Sequence, residues 1–464
     1  MATSPTVSTP WPLTIRLWSM MFLQYFVQGC YLPVVSVYLE KSLHFSKLEL
    51  GYFGAALAVG PMLVSFVLGQ VVDRGISTQW VLAFCHFCGG VLMLALYFQT
   101  AFLPIIILGT LYSILYIPTL MLTNSLSFYH LKNSPKEFPI VRLFGTIGFI
   151  VPAWWIEMGF LAGLEGTELD NARKIVFLLA GIFGLVMGGY CLTLPATPPH
   201  TSASAKFAPG VVLSMLRRRD FVILIVVGIL VAICHKFFFV LNSPYLRWVL
   251  DSEGIPAAVE QRISSLGQVS EVLVFVFLAY GLSRLGFRWT FLIGVTAYLL
   301  RCLIFALVAA NYSASAGEDQ NGLGLLLVCL GQLMHGYCFV CFWAAAFIYL
   351  EKITEPSARG SMQTFFGTLV FGFGMFIGGF ISGGIGDALT VGSGDNAVSD
   401  WPTIWLAGGS FALVGMLVLW ICFPTEPPKE ALAETGPKTP AAQPEPTTEA
   451  ETGIQPGPDG SIRR

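Results

Sequence analysis

The chain is built from long apolar runs separated by short polar breaks, a pattern on the scale of whole membrane crossings rather than of one amphipathic face. A helix needs about twenty mostly apolar residues to cross the hydrocarbon layer. Runs of that kind lie near 14–39, 50–72, 80–99, 102–128, 138–162 and 174–195. After a polar stretch come six more, near 220–246, 262–282, 289–310, 322–350, 360–390 and 402–423. In lipid a helix satisfies its backbone groups within one segment, so all of these runs are predicted to be helical. The pattern predicts an all-α membrane protein with twelve transmembrane helices in two six-helix halves, residues 1–195 and 220–424, joined by a central loop over 196–219. The first run is too long for the apolar part of a secretion signal and carries no small-residue cleavage site, so it is read as the first span.

Composition agrees with this reading and removes several alternatives. Of 464 residues, 55% are hydrophobic and 11% charged, against about 25% charged in ordinary soluble domains. A net charge of −2 leaves no concentrated basic face for a nucleic acid. From Thr425 onward Pro, Glu, Thr, Ala and Gly dominate. Such a segment buries too little to offset its chain entropy, so 425–464 is predicted to be a disordered tail. The basic residues set the orientation. With both termini cytoplasmic, Arg16, Arg74, Lys132, Lys136, Lys206, Arg217, Arg218, Arg219, Arg284, Arg288, Lys352 and Arg359 fall inside, against Lys41, Lys47, Arg173, Lys174, Arg247 and Arg262 outside. That bias matches the positive-inside rule.

The ten cysteines all fall in apolar runs. Cys85/Cys88 and Cys338/Cys341 have C-x-x-C spacing, but no second ligand pair accompanies them, and they are read as small packing residues. No metal and no cofactor is expected. Motifs of membrane enzymes such as H-E-x-x-H and G-x-S-x-G are absent, as is a pair of carboxylates on adjacent spans. A transporter of a small polar solute, working as a monomer in the bilayer, is the expectation.

Ionisable side chains within spans are costly and therefore mark candidate sites. His86, Arg142, Lys236, Glu271, Arg301 and His335 are the deep ones. Arg142, Thr146 and Phe149 share one face of the fifth helix, Gln268 and Glu271 one face of the eighth, and His335 and Phe339 one face of the tenth. Together they offer a guanidinium, a hydroxyl, an amide, a carboxylate and rings, a set suited to a solute with one flat ring and several hydroxyls. His86 and Arg301 are read as hydrogen-bonding neighbouring helices. A pairing of Lys236 with Glu271 is the structural alternative to a role for Lys236 in binding.

A faint repeat links the halves. Gly69-Gln70-Val71-Val72-Asp73-Arg74 follows the second run, and Ser283-Arg284-Leu285-Gly286-Phe287-Arg288 follows the eighth. Both resemble degraded copies of the G-x-x-x-D-R-x-G-x-R loop of the major facilitator superfamily. A closer resemblance lies in Val141-Arg142-Leu143-Phe144-Gly145-Thr146-Ile147-Gly148-Phe149, Tyr116-Ile117-Pro118-Thr119, Phe22-Leu23-Gln24-Tyr25, Gln268-Val269-Ser270-Glu271, Leu299-Leu300-Arg301 and Trp401-Pro402-Thr403-Ile404-Trp405. These resemble, in order and from the first helix to the twelfth, the bacterial nucleoside:proton symporters of that superfamily. The resemblance implies nucleoside import coupled to protons across the bacterial inner membrane, with substrate at the midplane between the halves. It implies substrate contacts at Arg142, Thr146, Phe149, Gln268, Glu271 and Phe339; Glu271, with Arg142 beside it, is the expected proton-coupling site. Four positions depart from the family pattern: Lys236 and Phe239 stand where relatives have Gln and Asn, His335 where they have Tyr, and Val340 where they have an acidic residue. The base-reading side is therefore expected to differ, and a sugar, a glycoside or an anionic metabolite is the alternative cargo.

Overall fold

A computed structural model describes residues 8–63, 76–198, 214–314, 322–355, 358–392 and 397–424. The first copy of the repeated loop, most of the central loop and the segment 425–464 lie outside the described residues. Before the central segment stand α1 (Trp11–Tyr31), α2 (Val35–Lys41), α3 (Lys47–Ala56), α4 (Thr78–Tyr97), α5 (Phe102–His130), α6 (Ser134–Ile156), α7 (Gly166–Ala172) and α8 (Ile175–Cys191). After it come α9 (Arg219–Ser252), α10 (Glu260–Ala314), α11 (Leu323–Tyr337), α12 (Ala345–Ile353), α13 (Arg359–Gly367), α14 (Met375–Ala388) and α15 (Trp401–Cys422). A two-residue ribbon pairs Thr390–Val391 with Val398–Ser399.

Among the described residues ten helices are long and apolar enough to cross a membrane. They follow the apolar runs closely, with two differences. The run at 50–72 is seen only through α3 and the turn after it, because 64–72 lie outside the described residues. The runs at 262–282 and 289–310 form the 55-residue element α10, roughly 80 Å of helix and far more than one crossing requires. It breaks at Gly286, whose φ of 74° and ψ of 176° lie where an L-residue with a Cβ is strained. The second copy of the repeated loop thus turns on its glycine. Arg288 follows the turn and lies over the Trp420 ring on α15, donating to that residue's carbonyl.

Local signals fix the helix starts. Ser46 and Glu49 form a reciprocal capping box at α3, with Glu49 N–H donating to Ser46 Oγ at 3.2 Å and Ser46 N–H to Glu49 Oε2 at 2.8 Å. Asp400 accepts from Thr403 N–H at the start of α15. Three helices pass into π-helical turns, at Glu157–Leu161, Cys338–Ala344 and Thr368–Gly374. Such turns widen a helix locally and often accompany function.

Helices α1, α4, α5, α6 and α8 pack among themselves, as do α9, α10, α11, α14 and α15. The two sets meet where α2 and α3 pack on α9, α3 on α14, and α6 on α10. The α3–α14 approach is close because it is made by glycine: a Cβ on Gly51 would stand 2.4 Å from the Gly379 carbonyl oxygen and 2.7 Å from Gly383 Cα. Large apolar side chains such as Trp80, Phe84, Phe98, Leu103, Val276 and Ile421 face outward, as a lipid-facing surface requires.

Candidate functional site

Between the two helix sets lies a cavity of about 210 Å³. From α1, α2, α3 and α5 it receives Gln28, Tyr31, Ser36, Phe53, Gly54, Ser113, Tyr112 and Tyr116. From α9 it receives His235, Lys236 and Phe239, and from the two π-helical turns Phe339 and Phe371. The rings set the wall geometry. Tyr112 and Tyr116 stack at 5.2 Å, Tyr31 meets Tyr112 edge-on at 5.7 Å, and His235 meets Phe239 at 4.8 Å. A smaller cavity of about 40 Å³ adjoins it, lined by Phe149, Phe239, Asn242, Ser264 and Gln268. Leu32 and Phe239 line both. A solute entering from one into the other passes these two side chains.

The predicted site residues separate into three groups. Lys236, Phe239 and Phe339 line the larger cavity; Phe149, Gln268 and Phe239 line the smaller. Arg142, Thr146 and Glu271 are half-buried on α6 and α10, where these helices pack together. Arg142 stacks on Tyr25, its Cζ 4.3 Å from the ring centroid, and one guanidinium nitrogen is buried without a hydrogen-bond partner. It lies near enough to Glu271 to act on that carboxylate electrostatically. His335 stands apart from both cavities. Its Nδ1 accepts from Arg301 at 3.3 Å, and its ring packs on Phe238 and His235 at 5.4 and 5.8 Å.

The pairing of Lys236 with Glu271 does not form: no carboxylate among the described residues is bound to Lys236. The two side chains belong to different surroundings, Lys236 being packed against Gly54 of α3. His86 bonds Gln24 at 2.8 Å, and Gln24 in turn donates to Thr119. Tyr116 closes this network on the Gln24 carbonyl at 2.6 Å. Arg301 bonds His335 on a neighbouring helix and lies 4.1 Å from the Phe238 ring centroid.

Two features are absent from the sequence reading. One is His235, which lines the larger cavity and bonds the Tyr298 hydroxyl at 2.8 Å, itself held by Trp343 Nε1. Its signal was an ionisable residue in an apolar run, masked by the lysine beside it. The other is a charge network at the end of the molecule bearing residues 157–173 and 243–262. Glu157 accepts from Gln261 N–H at 2.5 Å and from Arg262 Nε at 2.9 Å, so a carboxylate following α6 caps the start of α10. Arg173 bonds Asp170 at 2.6 Å and Glu260 at 2.8 Å. Asp170 also accepts from Arg247 at 2.8 Å, and Glu260 from Ser243. At the same end Lys47 pairs with Glu40 and lies over Trp401. Arg173, Glu157 and Glu260 are each at most 2% exposed. Among the described residues, most side-chain hydrogen bonds that join the two helix sets thus lie at this end.

A multi-pass bundle with a ring-lined cavity between two helix sets, joined at one end by reciprocal charges, is a membrane transporter of the major facilitator type. Solved structures of that type overlie it. A crystal structure of the nucleoside transporter NupG matches with a TM-score of 0.76 and 25% identity, over 89% of this chain and 100% of that one. A D-xylose-proton symporter, at 15% identity and a TM-score of 0.64 over 89% of this chain and 98% of that one, shares the fold. The chain belongs to the nucleoside H+ symporter family, whose model matches residues 12–427. Among relatives, the nucleoside permease NupG of Escherichia coli (strain K12) is 26% identical over 415 residues, 87% of this chain and 94% of that protein. The xanthosine permease of the same organism is 26% identical over 428 residues, 89% and 96% of the two chains.

Proposed function

We propose that the protein imports nucleosides together with protons across the bacterial inner membrane, by alternating access of a central cavity to the two sides. The observation that carries this reading is the 210 Å³ cavity between the two helix sets, walled by aromatic rings, with a charge network that bridges the sets at one end. Rings of this kind hold a flat base by stacking, while a few polar groups orient it. Family membership and the names of its relatives support a nucleoside as cargo.

In this reading twelve spans form two six-helix halves, residues 1–195 and 220–424, with α10 contributing two spans around Gly286. Both termini are cytoplasmic, and the charge network faces the periplasm. Phe149 and Gln268 hold cargo beside Phe239, while Lys236 and Phe339 meet it in the larger cavity. Arg142 and Thr146 hold hydroxyls. Glu271 takes the transported proton, and its proximity to Arg142 makes the two states of the carboxylate unequal in what they hold in place. Protonation weakens that attraction and frees α6 to move against α10. His335 acts through Arg301, away from cargo. Uptake of radiolabelled nucleosides and sugars into membrane vesicles, with and without an imposed pH gradient, tests the reading. Gradient-driven nucleoside accumulation supports it; sugar accumulation with no nucleoside uptake overturns it.

A further inference from the structure

We propose that Lys236 selects, among nucleosides, those whose base turns carbonyl oxygens or an ionised ring nitrogen into the larger cavity, and rejects those that turn amino groups there. The inference rests on the nucleoside reading above and narrows its substrate class.

Several polar groups of that cavity are committed elsewhere, while Gln28 stays open to cargo, as does the Tyr112 hydroxyl, which is buried without a hydrogen-bond partner among the described residues. Ser113 Oγ donates to the Leu57 carbonyl at 2.6 Å and accepts from Gly60 N–H at 3.0 Å. The Tyr116 hydroxyl is spent on the Gln24 carbonyl, and His235 is tied to Tyr298. Ser36 Oγ reaches the Phe239 carbonyl at 3.5 Å. Lys236 differs from these in being a cation. It is 7% exposed, lines the cavity, and has no hydrogen-bond or ion-pair partner among the described residues. No Asp or Glu lines the cavity with it.

Space for the lysine comes from the opposite helix. Gly54 of α3 has no side chain, and a Cβ there would stand 3.1 Å from Lys236 Cε and 3.6 Å from Nζ. The ammonium group therefore lies at the meeting of the two helix sets, where cargo must pass. An ammonium offers three donors and no acceptor. A buried donor left unmatched is costly, and a cargo acceptor relieves that cost while an amino group adds a second donor beside it. Phe239, one turn behind on α9, offers only its ring. That side chain accepts no hydrogen bond from an amino group.

Two matched pairs of nucleosides isolate the effect. In each pair a carbonyl beside a ring N–H is exchanged for an amino group beside an unprotonated ring nitrogen: uridine against cytidine, and xanthosine against guanosine. Initial uptake of each is measured in vesicles containing the full chain, wild type, Lys236→Gln and Lys236→Arg. The expected wild-type preference for the carbonyl member is on the order of tenfold in kcat/KM in both pairs, the scale of a hydrogen bond to a charged group. Lys236→Gln should bring the two members of each pair together, and Lys236→Arg should keep the preference. Equal wild-type uptake within both pairs overturns the proposal and leaves nucleoside transport standing. An unchanged preference in Lys236→Gln overturns it as well. Uptake of neither pair by the wild type instead rejects the nucleoside reading itself. Should Lys236→Gln fail to insert, the wild-type ratios and Lys236→Arg decide.

Discussion

Removal of one arginine should unlock one end of the protein. Arg173 follows α7 and is 1% exposed, with bonds of 2.6 Å to Asp170 and 2.8 Å to Glu260. In Arg173→Met, Asp170 keeps its bond to Arg247, but Glu260 is left as a buried charge with Ser243 as its remaining direct partner. Breaking a buried pair by removing one member costs about 3–5 kcal/mol, most of it from the stranded charge. The Arg173–Glu260 bond joins the two helix sets only while that end is closed, so the loss falls on the closed state. At about 1.4 kcal/mol per factor of ten, even the lower figure shifts the closed–open equilibrium by roughly a hundredfold. Ser36 is buried beside the larger cavity near this end, and Ser36→Cys reports its opening in an otherwise cysteine-free background. A membrane-impermeant maleimide added to intact cells should label it slowly in the parent and much faster in Arg173→Met. Arg173→Met combined with Glu260→Gln removes the stranded charge and should return most of the protection, since coupled positions are not additive. Labelling unchanged in correctly inserted Arg173→Met would refute the assignment of this network as the closure. So would a double variant that labels as fast as the single one.

Three further outcomes follow from the same geometry. Glu271→Gln should abolish proton-driven accumulation while leaving nucleoside counterflow measurable, and normal accumulation in that variant would move the proton site elsewhere. Gly51→Val places atoms into the backbone of α14, with a Cβ 2.4 Å from the Gly379 carbonyl oxygen. It should cost at least about 1–3 kcal/mol, read as a lower midpoint in thermal unfolding of the purified protein; an unshifted midpoint would contradict the close α3–α14 approach. Truncation after Pro424 should leave uptake within about twofold of the parent, because a segment so poor in apolar residues contributes little packing; loss of uptake would assign the tail a role in the transporter.

The spans could be read from the chain because lipid sets a length scale that apolar runs must meet, and α1, α4, α5, α9 and α15 fall where those runs lie. The junction at Gly286 was legible as well, because Ser283, Arg284 and Arg288 break the apolar pattern between two runs. Fifth-helix residues shared a face by simple periodicity, and Phe149 and Gln268 do line one cavity. Periodicity does not reveal which neighbour a side chain meets, and there the reading diverged from the structure. His335, equivalent in the pattern to Lys236, is held away from both cavities by Arg301. Arg173 and Arg247 were read only for the side of the membrane they mark, and the structure buries them in ion pairs. A charge near a span end looks the same in sequence whether it meets solvent or a partner from a distant helix.

The central claim is that nucleoside and proton move together through this protein, and the proton itself can be watched. De-energised vesicles containing the protein, suspended in lightly buffered medium, receive a pulse of uridine while an electrode follows external pH and radiolabel follows entry. Coupled entry predicts an alkalinisation of the medium that rises with the label, is lost in Glu271→Gln, and is dissipated by a protonophore. Label entering with no change in external pH would contradict proton coupling, and neither label nor pH responding would contradict nucleoside transport altogether.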